Sequence, residues 1–401
     1  MKYDVIVVGG GPAGLSSAYT AAKGGARVAV FEKSKEIGYP IHTSGGSWID
    51  ALKKLQIPEK FIYPIREGYF VSENATARFR YENPPSCVLD IRGLYQYLAE
   101  IASAEGAEIF VNSTVSKPHF EKNRLCGVYV RRFGKEQFFD APLIIDASGA
   151  SSLLARKMGM TNGFGRVGLG AEYDLFAPNW PQDRVAFLFG NKVAPSGYGW
   201  IFPYKENRIR LGVGLIYPDS KDDPRRYLED ILKNSKLFRK ELAGVSRIEY
   251  HTGVIPSDGF LKKTVANGFM VVGDAGGLIS TLLGEGIRFA IDIGRMAGGV
   301  AAEAVQKQRF DEKFLKKYES LWKKKYQNIF KIGSLINKRL ANYSDEKWDE
   351  RIGQLARLDP DDVAALLKGD FRAKLLLRFF QKNSKLLRDA LKSKSKMLAF
   401  N

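Results

Sequence analysis

Hydrophobic and polar positions follow three rhythms along this chain. Short, nearly continuous apolar runs occur at Tyr3 to Val8, Arg27 to Phe31, Leu143 to Ala147 and Gly268 to Val272, which is how strands buried on both faces read. Strict alternation takes over in Tyr69 to Tyr81, Gly168 to Leu175, Val185 to Phe189, Gly199 to Phe202 and Arg208 to Ile216. That pattern predicts half-buried antiparallel strands forming a separate sheet. Helical periodicity fills other stretches: an Ala-rich segment from Gly14 to Gly24, one opened by Asp90 and running through Leu98, and a long one from Ile287 to about Val305. Beyond residue 306 the same periodicity continues in a Lys/Arg-rich region.

The first apolar run leads into Gly9-Gly10-Gly11-Pro12-Ala13-Gly14, then the Ala-rich helix, then a second strand ending on Glu32 and followed by Lys33. In this strand, helix, strand order Gly9 makes the tight turn, Gly11 lets backbone approach a pyrophosphate, and Gly14 lets helix pack on strand. Pro12 and Ala13 open the helix whose positive end would face the pyrophosphate. Glu32 is placed to accept hydrogen bonds from an adenosine ribose, and Lys33 stands beside it. A second glycine turn, Gly273-Asp274-Ala275-Gly276-Gly277, follows the last apolar run and leads through Gly284-Glu285-Gly286 into the helix at Ile287. Two such turns suit one long dinucleotide, FAD. Asp274 suits the ribityl or ribose hydroxyls, although alone it would equally suit a helix cap. The amides at Gly284 to Ile287 lie at a helix N-terminus and would stabilise negative charge on a reduced isoalloxazine. Arg92 is a candidate fork for the flavin phosphates, or alternatively a partner of Asp90.

These elements predict an α/β protein with a discontinuous Rossmann-like FAD-binding domain (1–47, 90–159 and 253–305). An antiparallel-sheet substrate domain (48–89 and 160–252) would lie over the flavin, followed by a helical C-terminal region (306–401). No second GxGxxG turn is present, so a pyridine nucleotide would visit the flavin only transiently.

At 401 residues and 45% hydrophobic, the chain can bury a sizeable core. No charged-then-apolar leader precedes the first strand and no apolar run is long enough to span a bilayer, so a cytoplasmic protein is expected. Cys87 and Cys126, with three histidines, offer no metal cluster or disulfide framework. The net charge of +18 is concentrated after residue 306, among apolar positions Phe314, Leu315, Tyr318, Leu321 and Trp322, then Leu375, Leu376, Leu377, Phe379 and Phe380. A packed appendage or an anionic membrane surface fits that pattern, and nucleic acid is not expected because no recognised motif accompanies the charge.

The GGGPAG turn with Glu32, the DIRGLYQYL helix, the DASG turn and the GDAGG turn together resemble the flavoprotein monooxygenase superfamily typified by p-hydroxybenzoate hydroxylase. Tyr198-Gly199-Trp200-Ile201-Phe202-Pro203 looks like the YxWxFP motif of geranylgeranyl reductases, and Gly284 to Ala290 is similar to their GEGI helix. The resemblance spans residues 1 to about 305. It implies saturation of C=C bonds in geranylgeranyl chains of archaeal lipids, menaquinone or chlorophyll precursors, with NAD(P)H or a ferredoxin-like protein as reductant. Tyr198, Trp200, Phe202 and Pro203 would line the substrate chamber, Trp200 otherwise being plain core. Gly45 and Gly46 leave room for backbone near the ring. Many archaeal members carry a cysteine where this chain has Thr43. The proton for the second carbon would then come from His42, Tyr198, Glu285 or water. Two other readings are an aromatic hydroxylase, disfavoured by Gly277 and Thr281 in the late turn, and electron transfer to a membrane quinone.

Overall fold

The structure is a computed structural model and describes residues 2–121, 124–234 and 238–372. The segment Leu375 to Phe380 lies outside the described residues. The short apolar runs become the centre of a six-stranded sheet in the order Val265–Ala266, Phe269–Val271, Leu143–Asp146, Val5–Val8, Val28–Phe31, Glu108–Phe110. All neighbours are parallel except the first pair. Val5 and Val7 pack with the helices Pro12–Lys23, Ile91–Ala104 and Ile287–Lys307, while Ile6 and Val8 pack with Val115, Leu125, Val128, Val130 and Phe139 on the opposite face. Both faces are covered, so alternation is lost and the run is apolar throughout. The second cover is a three-stranded sheet, Lys135–Asp140, Arg124–Arg132 and Ser113–Glu121, which the sequence patterns did not separate from the middle part of the FAD domain.

The first and late helices approach backbone to backbone. A Cβ added at Gly294 would stand 2.4 Å from the Ala13 carbonyl oxygen, and one at Gly298 would stand 2.3 Å from that of Ser17. This contact brings the two glycine turns together, because each turn opens into one of the two helices.

The alternating segments assemble into a seven-stranded sheet in the order Ser246–Pro256, Val167–Phe176, Arg208–Tyr217, Tyr198–Lys205, Arg184–Leu188, Glu67–Val71, Thr76–Arg80. Its pairs are antiparallel except Arg184–Leu188 with Glu67–Val71. The stretch Tyr69 to Tyr81 is thus two strands and a turn, and the edge strand Ser246–Pro256 runs across the boundary expected at residue 253. A small sheet, Gly46–Trp48, Ser86–Leu89 and Ile62–Ile65, joins the two large ones.

The helix Glu312–Leu340 turns Leu315, Tyr318, Trp322, Tyr326 and Phe330 inward, where the Tyr318 hydroxyl donates to the Val271 carbonyl at 2.7 Å and Trp322 Nε1 to Thr264 Oγ1 at 3.1 Å. The apolar face around Phe314 to Trp322 is therefore mostly consumed by the protein's own body. Helices Asp345–Leu355 and Pro360–Lys368 pack on the far end of the seven-stranded sheet, with Trp348 stacked on Phe189 at 4.6 Å between ring centroids.

Candidate active site

The first glycine turn has the shape of a phosphate cradle. Gly9 has φ +113°, and a Cβ there would meet the Ala147 carbonyl oxygen at 2.3 Å; one at Gly14 would meet the Gly9 oxygen at 2.0 Å. A Cβ at Gly11, by contrast, would meet nothing within 4 Å. The open side of the turn lies there, at the mouth of a helix with Pro12 in its first turn and no side-chain cap, so its amides remain available to an anion. Glu32 accepts from the Gly10 and Ser34 amides at 2.7 Å each, which fixes its carboxylate at the strand end beside the turn. Lys33 is exposed.

The late turn closes on the early one: a Cβ at Gly273 (φ +59°) would stand 2.8 Å from Ala13 Cβ. Val272, not Asp274, occupies the cap position of the short helix Gly273–Gly276, so Asp274 is not spent as an N-cap. Its carboxyl is pushed up to about 6 by burial. Gly286 caps the helix Ile287–Lys307 without a side-chain bond, leaving the amides of Gly286 and Ile287 unspent, and Gly284 turns in the left-handed region (φ +65°). Arg92 pairs with Glu36 through two bonds of 2.6 and 2.9 Å, not with Asp90, whose carboxylate instead caps its own helix by accepting from the Gly93 amide. The FAD shape fits these features: two uncapped helix ends, a cradle kept open at Gly11, and a fixed carboxylate for the ribose.

Between the FAD-binding sheet and the seven-stranded sheet lies a cavity of about 620 Å³. One end is formed by His42, Thr43, Ser44, Gly45, Gly46 and the segment Gly284–Ile287. The cavity is also lined by Phe70, Phe187, Phe189, Tyr198, Trp200 and Phe202, and by Ile336, Leu340, Trp348, Leu355 and Leu366 of the tail helices. Tyr198, Trp200 and Phe202 share the inner face because side chains alternate along a strand; Pro203 falls on the other face, beside Ile201, and does not line the chamber. The tail helices, which the sequence offered as a membrane element or an appendage, supply part of its wall.

The three side chains offered as proton donors, Tyr198, Glu285 and His42, differ. Tyr198 donates its hydroxyl to the Leu283 carbonyl at 2.6 Å, and burial pushes its phenol up, so that proton is held. Glu285 accepts from Arg288 Nε at 2.6 Å and Trp48 Nε1 at 3.2 Å, so its oxygens are engaged by donors. Arg288 also donates to the Lys368 carbonyl at 2.8 Å, tying the last tail helix to the GEGI turn. His42 holds the Thr252 carbonyl with Nδ1 at 2.9 Å, and Thr43 faces the chamber. Sequence reasoning missed a buried set behind that loop. Glu172 takes Trp200 Nε1 at 2.6 Å and His251 Nδ1 at 3.2 Å, with Arg210 donating to the Ser44 carbonyl at 2.8 Å. The available signal was a carboxylate at an inward position of an alternating strand.

Residues 4–170 match the family model described as FAD dependent oxidoreductase, and residues 169–254 match that described as geranylgeranyl reductase catalytic domain. The chain is 33% identical over 91% of its length to a digeranylgeranylglycerophospholipid reductase of Methanothermobacter thermautotrophicus, covering 95% of that protein. It belongs to the geranylgeranyl reductase family. A second such reductase, from Methanocaldococcus jannaschii, is 32% identical over 94% of this chain and 97% of its own. The crystal structure of a geranylgeranyl bacteriochlorophyll reductase-like protein from Thermoplasma acidophilum has the same fold, with a TM-score of 0.86 at 24% identity, covering 98% of this chain and 99% of the other. This geranylgeranyl reductase family member is accordingly an FAD-dependent oxidoreductase. No described helix is long and apolar enough to cross a membrane.

Proposed function

We propose that this protein saturates isolated double bonds in the geranylgeranyl chains of an archaeal-type glycerophospholipid. The observation that carries the reading is the chamber: lined mainly by aromatic and aliphatic side chains, it includes the loop and helix end suited to an isoalloxazine and residues of the tail helices. A long hydrocarbon needs such a sleeve and gains roughly 25 cal/mol for each Å² of apolar surface it buries there.

FAD supplies the hydride chemistry at its reduced N5. Gly9, Gly11, Pro12, Ala13 and Gly14 would hold the pyrophosphate by backbone, Glu32 and Lys33 the adenosine end, and Asp274 the hydroxyls between. The amides of Gly284, Gly286 and Ile287 would face the ring's electron-rich edge, with Gly45 and Gly46 passing close on the other side. Arg92 would exchange part of its pairing with Glu36 for phosphate. Tyr198, Trp200 and Phe202 orient the chain, and the apolar wall excludes water from the reacting carbons. Reducing equivalents would arrive from NAD(P)H or a ferredoxin-like donor at the flavin edge.

The substrate resides in a membrane, and the tail supplies a surface for it. Leu321, Lys324, Asn328, Lys331, Leu335 and Lys338 are exposed at helical spacing on one stripe of Glu312–Leu340, while Ile336 and Leu340 of the same helix line the chamber. The stripe would lie on an anionic bilayer with the chamber beside it. Mass spectrometry of lipid extracted from the purified protein tests the reading: polyprenyl glycerolipid is expected, and an aromatic acid or a quinone in its place would reject it.

A further inference from the structure

One interruption of the chamber's apolar wall is a buried row of polar side chains. Across four neighbouring strands, His251 lies directly opposite Glu172, and Glu172 and Trp200 both pair with Gly212. Gly212 is what permits the row, since a Cβ there would stand 2.3 Å from the indole of Trp200. The indole can then lie across the strand and donate Nε1 to Glu172 Oε2 at 2.6 Å. On the other side Glu172 Oε1 is 3.2 Å from His251 Nδ1, and His251 Nε2 is 3.2 Å from a carboxylate oxygen of Glu249. That second approach is off the line a hydrogen bond needs, so Nε2 is a buried nitrogen without an aligned partner. Glu172 and His251 are both buried, with side chains 5% and 3% exposed, and Glu249 reaches solvent at 31%. Glu172, His251 and Ser44 all border the chamber, next to Thr43.

We propose that the His251 imidazolium, held by Glu172 and reached from solvent past Glu249, delivers a proton to the substrate carbon opposite the hydride. This rests on the reductase reading of the chamber. The addition balances as follows. A hydride from flavin reduced by a two-electron donor, dithionite in the test, would form one C–H bond while the alkene π pair forms the other with the His251 proton. His251 regains its proton from solvent through Glu249, while Glu172 stays a carboxylate and holds the imidazolium. One electron pair and two bulk protons are consumed for each double bond, one of them taken up when the flavin is reduced.

The surrounding charges favour a loaded relay. Desolvation pushes the His251 imidazole down, but the Glu172 and Glu249 carboxylates on either side outweigh it and the group is raised, which favours the imidazolium. Desolvation likewise raises Glu172, and is outweighed by His251, the buried Arg210 cation, Ser44 and Trp200, which leave it lowered. Arg210 is anchored on the Ser44 and Leu89 carbonyls, His42 abuts the edge strand through the Thr252 carbonyl, and Arg92 adds positive potential towards Glu249. A cation beside an anion, at the wall of the chamber, is a proton store that opens to the chamber on one side and towards solvent on the other.

The test uses FAD-loaded protein reduced with dithionite under argon and mixed with digeranylgeranylglycerophospholipid vesicles in H₂O and D₂O. His251→Gln should keep FAD and be reduced as readily as the parent, yet its reoxidation by lipid should slow by about 10²-fold or more. The parent rate should fall as pH rises through the raised histidine pKa, and the variant should lose that limb. Glu249→Gln, at the exposed end, should slow repeated turnover more than the first and leave the melting temperature unchanged. A parent-like rate and pH profile in His251→Gln would overturn the proposal. Histidine NMR separates this from failure of the substrate reading: whatever lipid is used, a His251 ring already neutral at pH 6.5 in the parent, or unmoved by Glu172→Gln, would also overturn it.

Discussion

Replacing Gly11 and Gly14 with valine should separate cofactor binding from folding within one hexapeptide. Gly11 has φ −81° and ψ −179°, an extended conformation valine adopts freely, and its Cβ would enter space empty of protein. Gly11→Val should therefore fold normally and block the cradle. If the side chain displaces two amide bonds to phosphate, each charge-assisted and contributing about 1.5–3 kcal/mol, the loss is about 3–6 kcal/mol, or roughly a hundred- to ten-thousand-fold in affinity. At Gly14 the same substitution drives Cβ to 2.0 Å from the Gly9 oxygen, with Ala147 Cβ and Val7 Cγ1 at 3.1 Å, so backbone and core would have to move. That overpacking should cost at least about 1–3 kcal/mol of stability before any ligand is considered. Flavin absorbance after gel filtration and the melting temperature of deflavinated protein read the two effects. The reasoning is refuted if Gly11→Val retains stoichiometric FAD, or if its deflavinated form melts as low as Gly14→Val.

Trp200→Ala should retain FAD and lose turnover of long-chain lipid, because the indole borders the chamber and not the cradle; flavin loss with unchanged lipid kinetics would place it on the wrong wall. For Asp274 the folded carboxyl is raised to about 6 by burial, so in the deflavinated protein its ionisation opposes folding above that pH and the opposition disappears below the ordinary aspartate range. Asp274→Asn should thus raise the melting temperature of deflavinated protein at pH 7.5 but not near pH 3.5, while weakening FAD retention; equal shifts at both pH values would contradict it. Changing Lys324, Lys331 and Lys338 to glutamate should abolish sedimentation with anionic vesicles at low salt, and the parent should be released as salt rises. Undiminished binding would free the stripe of that role.

The parallel core and both glycine turns were legible because each is a local signal: a run of apolar residues, a cap, a fixed spacing. The sheet from Ser113 to Asp140 was not. Its outer face is mostly polar and its inner face carries only Val115, Leu125, Val128, Val130 and Phe139, so its strands lack a continuous signature. The edge strand Ser246–Pro256 hides for a related reason: Ile248, Tyr250 and Val254 point to solvent and His251 points inward, which inverts the usual pattern. Glu172 and His251 are 79 positions apart and become neighbours only through strand register. Arg92 finds Glu36 rather than Asp90 because the Gly38 turn brings that loop against the helix start. The tail's basic composition suggested a detachable element, yet Trp348 on Phe189 and the Arg288 bond to Lys368 make it part of the chamber.

The most direct test of the reductase account is a single anaerobic turnover. Holoenzyme reduced with dithionite, freed of excess reductant and mixed with digeranylgeranylglycerophospholipid vesicles should regain its oxidised flavin spectrum. The lipid should gain about two mass units per saturated bond, without oxygen. Flavin that stays reduced until air is admitted, with a hydroxylated product or with lipid of unchanged mass, would contradict it.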